Sequence, residues 1–102
     1  MKIPIKGIKY EFHAEPWQHS GPGGWHFISV PKELAEEIRS AFKLEEEGWG
    51  RLKVMAQIGQ SEWKTAIWFD TKMKTYLLPL KAEIRQREEV LVGKELKVII
   101  WI

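Results

Sequence analysis

The chain of 102 residues contains no cysteine, no asparagine and no long apolar run. The missing cysteine excludes disulfide bonds, thiolate metal sites and cysteine nucleophiles, and it is typical of intracellular proteins. A membrane span needs roughly 20 consecutive apolar residues, and the segment Met1–Gly7 does not resemble a signal peptide. We therefore expect a cytoplasmic protein that does not cross a membrane. The length is typical of one domain, here residues 1–102.

Net charge is also small. The formal net charge is +2, and residues 52–102 carry 9 basic and 6 acidic side chains. An excess of this size does not require a polyanionic partner. Nucleic-acid binding therefore stays an alternative that the charge allows but does not demand.

Alternation of apolar and polar residues predicts several strands, each with one face toward a core and one toward water. The turn Gly59–Ser61 between two such strands predicts a hairpin. The last strand should place its core face on Leu96, Val98, Ile100 and Ile102. The predicted strands are Ile8–Ala14, Arg51–Gly59, Glu62–Phe69, Thr75–Leu80 and Glu95–Ile102.

Helical spacing appears after Pro31, a residue that suits the first turn of a helix. Glu33, Glu36 and Glu37 favour the N-terminal half of that helix. Its apolar stripe should consist of Leu34, Ile38, Ala41 and Phe42. A second, shorter helix is predicted over Ala82–Glu88, since Pro79 ends the hydrogen bonding of the preceding strand.

Five short motifs run in order along nearly the whole chain: Trp25–Pro31, Trp49–Val54, Trp63–Ala66, Leu78–Arg85 and Gly93–Lys94. In this order they resemble the bacterial and archaeal family catalogued as domain of unknown function nineteen-oh-five. Two positions depart from that pattern, with Ala66 in place of a serine and Lys94 in place of an aspartate. Any role of that hydroxyl or carboxylate in the family is therefore lost here.

The resemblance implies a compact fold similar to the double-split β-barrel of some bacterial DNA-binding regulators and antitoxins, and it implies no established activity. Together with the periodicity, it leads us to expect a mainly β fold. We expect a small closed or double-split β-barrel with one helix of about three turns and one short helix.

Six tryptophans are the most conspicuous functional candidates. A barrel mouth lined with indoles can stack a sugar, a base or an apolar ligand. We expect Trp25, Trp49, Trp63 and Trp101 to serve packing first, because a small barrel needs bulky residues inside. Trp17, in a loop rich in proline and glycine, and Trp68, at the end of a hairpin, are better site candidates.

Basic residues around the second helix form the other candidate group. Lys81 and Arg85 lie four residues apart, which would place them on one helix face, and both fall in the Leu78–Arg85 motif. Arg87 is close by, with Arg51 and Lys64 on neighbouring strands. A guanidinium group binds carboxylate or phosphate, but it also forms structural ion pairs. Arg85 could equally pair with Glu88, Glu89 or a carboxylate on a strand.

Metal binding and catalysis have little support in the sequence. His13, His19 and His26 are unevenly spaced and do not form a recognisable zinc motif. We expect His13 to be solvated and His26 to bond to the backbone. Ser29 and Ser61 lack the context of a nucleophile. We therefore expect no metal, no cofactor and no enzymatic activity.

These observations favour a non-catalytic module that binds a small ligand or a protein. Its site would consist of Trp17, Trp25, Trp68, Lys81 and Arg85. The alternative is a nucleic-acid-binding or regulatory protein, by analogy of fold. Trp101 bears on assembly, since it could pack beneath the first helix or against a second chain. We slightly favour the first arrangement and hence a monomer.

Overall fold

The computed structural model describes residues 7–48 and 50–102. Seven strands form one antiparallel sheet in the order β1-β7-β4-β5-β6-β3-β2, curled into a half barrel. The mainly β fold with two short helices is thereby confirmed. The strands are β1 (Lys9–Ala14), β2 (Trp17–Gln18), β3 (His26–Ser29), β4 (Arg51–Ile58), β5 (Ser61–Asp70), β6 (Thr75–Pro79) and β7 (Leu96–Trp101).

Two helices accompany the sheet: α1 (Lys32–Phe42) and α2 (Ala82–Arg87), with a short 3-10 turn at Lys43–Glu45. Pro31 precedes α1 as its N-cap instead of lying in the first turn. The buried positions of α1 are Ala35 and Ile38, whereas Ala41 is exposed, contrary to the predicted stripe. No helix in the described parts of the chain is long and apolar enough to cross a bilayer.

The hairpin of β4 and β5 shows how alternation separates the two faces of the sheet. Leu52, Val54, Ala56 and Ile58 are all buried and define the inner face. Their partners on β5 share that face, since cross-strand partners point the same way. Arg51, together with the other odd-numbered residues of β4, defines the outer face.

Both helices cover the inner face. Ile38 of α1 and Ile84 of α2 belong to the same buried cluster as Ile28, Val98 and Ile100. Because the sheet curls around them, one continuous core forms without a second sheet.

The position of Trp101 differs from the predicted one. It pairs with Lys9 and Met55, so it lies half-buried on the outer face, away from the helices. The helix packs instead on the side of Val98 and Ile100. The predicted position of Trp101 beneath α1 is therefore wrong, because the helix and the indole lie on opposite faces of β7.

A split between β5 and β6 is the feature that positions the site. The two strands pair only at Trp68 with Leu77, Phe69 with Tyr76 and Asp70 with Thr75. Among the described strands, β5 pairs from Ser61 to Ile67 with β4 alone, while Leu78 and Pro79 of β6 pair with β3 alone. Pro79 has no backbone N–H to donate, which suits a strand that leaves its neighbour.

Candidate functional site

A cavity of about 400 Å³ fills this split, and we call it the split cavity. One wall is the part of β5 that has parted from β6, and the other is the end of β6 with the start of α2. Its lining consists of Gly23, Gly24, Trp25, His26, Trp63, Lys64, Thr65, Pro79, Leu80, Lys81, Ala82 and Arg85. Three of the five predicted site residues, Trp25, Lys81 and Arg85, thus border one cavity.

Arg85 is held in place by the backbone. Its Nε donates a hydrogen bond to the carbonyl oxygen of Leu80 at 3.2 Å, and the side chain is half-buried. Glu88, one of its predicted ion-pair partners, instead accepts a hydrogen bond from the Ser61 hydroxyl at 2.6 Å. Within the described residues, no ion pair involves Arg85. The predicted pairing with Glu88 or Glu89 is therefore absent there.

Lys81 does not share a helix face with Arg85, because it precedes α2 as an extended N-cap residue. Its Nζ lies 3.9 Å from a carboxylate oxygen of Glu83, and both side chains are largely exposed. Such a pair contributes little free energy. Arg87, by contrast, is not part of the cavity lining, and its Nη2 lies 3.6 Å from a carboxylate oxygen of Glu83.

Lys64 is a third cation at the split cavity, and it makes no ion pair with any residue that the structure describes. Among the residues that the structure describes, no carboxylate lines this cavity. Lys64, Lys81 and Arg85 therefore give the cavity a positive charge that its own walls do not neutralise.

The imidazole of His26 also reaches the split cavity. Its Nδ1 is buried, and no hydrogen-bond partner for it exists among the described residues. The prediction that this side chain bonds to the backbone is wrong for Nδ1. A buried polar atom without a partner costs free energy. The wall of the split cavity thus contains one nitrogen whose hydrogen bond is not satisfied by the described residues.

Trp25 was expected to pack, but 62% of its surface is exposed. The loop before it is ordered by hydrogen bonds: the backbone N–H of His19 donates to the carbonyl of Trp25 at 2.7 Å, and Gln18 Nε2 donates to the carbonyl of Gly24 at 3.1 Å. Gly23 has φ of +89°, and a Cβ there would lie 3.2 Å from the Trp25 indole nitrogen. The glycine therefore lets the loop lie directly against the indole.

A second cavity of about 500 Å³ lies on the outer face beside the first, and we call it the outer trough. Phe27, Trp68 and Leu77 form its floor, one from each of three adjacent strands. Trp25 and Pro79 border both cavities, and His19 and Pro22 close the trough from the loop. Trp68 thus joins Trp25 in a shared apolar surface.

Trp17 lies in strand β2 and not in a loop as expected. Its indole Nε1 donates to the Ser29 hydroxyl at 2.9 Å, and its ring centroid lies 5.2 Å from that of Phe27. These contacts tie β2 to β3. Trp17 borders neither cavity, so the structure does not bring it together with the other four predicted site residues.

Trp63 and Trp49 were also expected to pack in the core. Trp63 is buried, as expected, and belongs to the core while one side borders the split cavity. The prediction for Trp49 lies outside the described residues.

A third cavity, of about 600 Å³, follows the outer face of β4 and β5, and we call it the basic groove. Arg51, Lys53 and Lys64 line it together with Trp68 and Trp101. The positive charge of this groove is partly neutralised by Glu47. One of its carboxylate oxygens lies 2.7 Å from Nη1 of Arg51, and the other lies 3.7 Å from Nζ of Lys53. Among the described residues no group of three or more potential metal ligands converges.

Sequence reasoning missed the roles of Trp63 and His26 as cavity walls. Alternation assigned Trp63 to the core, and only the parting of β5 from β6 exposes one side of it. For His26, the neighbouring Gly23 and Gly24 were a usable signal, because glycines before a strand indicate close approach of the backbone to a side chain or ligand.

A search of curated proteins finds no match to this chain. The model of the family described as Domain of unknown function (DUF1905) matches residues 12–100, which include every residue that lines the split cavity and the outer trough. The chain therefore belongs to the DUF1905 family.

Proposed function

We propose that this protein is a non-catalytic binding module whose ligand is a small anionic molecule held in the split cavity. The observation that carries the proposal is the lining, in which Lys64, Lys81 and Arg85 meet two tryptophans and no carboxylate. A volume of about 400 Å³ lies in the range of small-molecule sites.

Arg85 is the principal anion-binding group. Its Nε is occupied by the Leu80 carbonyl, which fixes the plane of the guanidinium group and leaves the two terminal nitrogens for a ligand. That planar pair of donors matches a carboxylate or phosphate better than a single ammonium does. Lys64 and Lys81, on opposite walls, supply further positive charge.

The chemistry of the lining favours binding over catalysis. Among the described residues that line the cavity, Thr65 contributes the only side-chain hydroxyl. Because Nδ1 of His26 is buried, it is poorly placed to exchange a proton with a ligand. Indole rings and fixed cations instead suit recognition of an anion attached to a flat or apolar group.

Two anionic probes and one neutral probe of similar shape test the proposal: benzoate, phenyl phosphate and benzyl alcohol. Both anions should shift the indole N–H resonances of Trp25 and Trp63 in an NMR titration, whereas benzyl alcohol should not. Arg85→Gln should weaken anion binding about tenfold or more, because a charge-assisted hydrogen bond contributes about 1.5–3 kcal/mol.

Arg87→Gln is the matched control, because Arg87 lies on the same helix but outside the lining. It should change affinity less than about twofold, as expected for a distant surface charge. Lys64→Gln gives a second test that does not disturb the Leu80 contact. Equal binding of benzyl alcohol, or unchanged anion affinity in both Arg85→Gln and Lys64→Gln, would overturn the proposal.

A second candidate function is the binding of single-stranded nucleic acid along the basic groove. Three cations beside Trp68 and Trp101 match the combination of charge and stacking surfaces that such proteins use. It ranks second because Glu47 neutralises part of this charge. Binding of oligothymidylate that weakens steeply with salt, and weakens further in Lys53→Gln, would support it.

A further inference from the structure

We propose that the ligand is an amphiphilic anion, with its charged head in the split cavity and an unbranched apolar tail in the outer trough. This inference rests on the proposed function and names the class of molecule that the same site takes. It begins from adjacency: Trp25 and Pro79 belong to the linings of both cavities, so a molecule that extends across these two residues would reach both.

The outer trough is apolar where the split cavity is charged. Its floor of Phe27, Trp68 and Leu77 carries no charge, and its rim adds only the imidazole of His19. The Nδ1 atom of that imidazole already accepts a hydrogen bond from the backbone N–H of Gly21 at 2.9 Å. The trough therefore suits an apolar group and provides little that would bind a charged group.

Exposure of the two indoles indicates that this surface is incomplete without an occupant. Trp25 is 62% exposed and Trp68 is 40% exposed, although both border the same trough. Contiguous exposed apolar surface, unlike apolar residues scattered singly, marks interaction or ligand-binding sites. An apolar tail covering both would remove their facing surfaces from water.

The wall that the two cavities share is positioned before any ligand arrives. The loop hydrogen bonds to Gln18 and His19 fix the backbone of Gly24 and Trp25, and Gly23 lies against the indole. A fixed indole costs little conformational entropy when it is covered. The cations line the split cavity and the floor of the neighbouring outer trough is apolar, which matches the two ends of an amphiphile.

The experiment is a series of unbranched carboxylates of rising length, from butanoate to decanoate, each kept below its micelle concentration and followed by NMR titration. Affinity should rise about threefold to fourfold for each added methylene group and level off once the trough is filled. Trp68→Ser should flatten this dependence on length while butanoate binding stays within about twofold. Arg85→Gln should weaken every member of the series by a similar factor.

Leu44→Ser is the matched control for loss of an apolar side chain, because Leu44 is 98% exposed and lies outside both linings. It should leave the dependence on length unchanged. Thermal unfolding of each variant, followed by circular dichroism, confirms that the fold is intact.

The outcomes separate the two proposals. Binding that depends on Arg85 but not on chain length would overturn the amphiphile and leave the anion site standing. Absence of binding by every carboxylate and by phenyl phosphate would overturn both. A doubled mass in light scattering that reverts in Trp68→Ser would assign the trough to a second copy of this chain, and the amphiphile proposal would fall.

Discussion

Trp63 and Trp68 lie on the same strand, yet their surroundings are opposite. Trp63 faces inward, is 8% exposed and contacts the core, whereas Trp68 faces outward and is 40% exposed. Alternation along a strand explains why they point to different faces. It does not explain why one face is covered, since that depends on where α1 and α2 pack. The comparison shows that the exposure of a tryptophan in this sheet depends on which face the helices cover.

Substitutions on the two faces of the sheet should therefore change stability by different amounts. Those on the inner face should cause the largest loss in the free energy of unfolding. Ile38 of α1 is fully buried in the cluster on the inner face. Ile38→Ala removes buried methyl groups and leaves a cavity, so we expect a loss of about 2–5 kcal/mol in the free energy of unfolding. Urea denaturation measures this loss.

Leu44→Ala is the control for Ile38→Ala, since the same aliphatic truncation at a position 98% exposed should change stability by less than about 0.5 kcal/mol. If Ile38→Ala also cost less than about 1 kcal/mol, α1 would not be part of the core, and the contrast between the two faces would fail.

Tyr76 tests the inner face through its hydroxyl group. The residue is fully buried, its hydroxyl donates a hydrogen bond to Glu46, and Arg39 lies 3.9 Å from that carboxylate. Burial, followed by the hydrogen bond and the negative charge of Glu46, raises the pKa of Tyr76 well above its ordinary value. Tyr76→Phe should cost about 1.5–3 kcal/mol, because the carboxylate loses a charge-assisted hydrogen bond.

The same pKa predicts a dependence on pH. Above about pH 10 the tyrosine of the unfolded chain ionises while the folded protein keeps its proton. The unfolded state then binds fewer protons than the folded state, so stability falls as the pH rises. Urea denaturation at neutral pH and above pH 10 should show a steeper fall for the native chain than for Tyr76→Phe. Equal slopes would mean that this hydroxyl is not buried as described.

Much of the fold followed from the sequence because it depends on local patterns. The alternation over β4 and β5, the turn at Gly59 and the spacing of Leu34 and Ile38 each involve neighbours in the chain. Ala41 was misplaced because one alanine satisfies a helical stripe without being large enough to fix the rotation of the helix. Ala35 is buried in the core together with Ile38 instead.

The site was less predictable because it depends on where pairing stops. The alternation of apolar and polar residues along β5 does not indicate that, among the described strands, its first half pairs only with β4. We selected Lys81 and Arg85 because their spacing would place them on one helix face, but Lys81 precedes the helix. Both residues border the split cavity nonetheless. Trp25 was assigned to packing because a small barrel needs bulky residues inside, but it lies just before β3 and is largely exposed.

The smallest effect on stability should come from the outer face. Trp68→Ser removes an indole that lies across from Leu77, with the guanidinium of Arg51 at 5.5 Å from the ring. An exposed cation–π contact contributes about 0.5–1 kcal/mol, and the freed surface is already partly in water. We therefore expect urea denaturation to show a loss near 1 kcal/mol or less, well below that of Ile38→Ala, together with the loss of ligand-length dependence described above. A loss as large as that of Ile38→Ala would mean that Trp68 contributes as much to stability as a core residue. Its exposure would then reflect the limited size of the protein and not a surface kept open for binding.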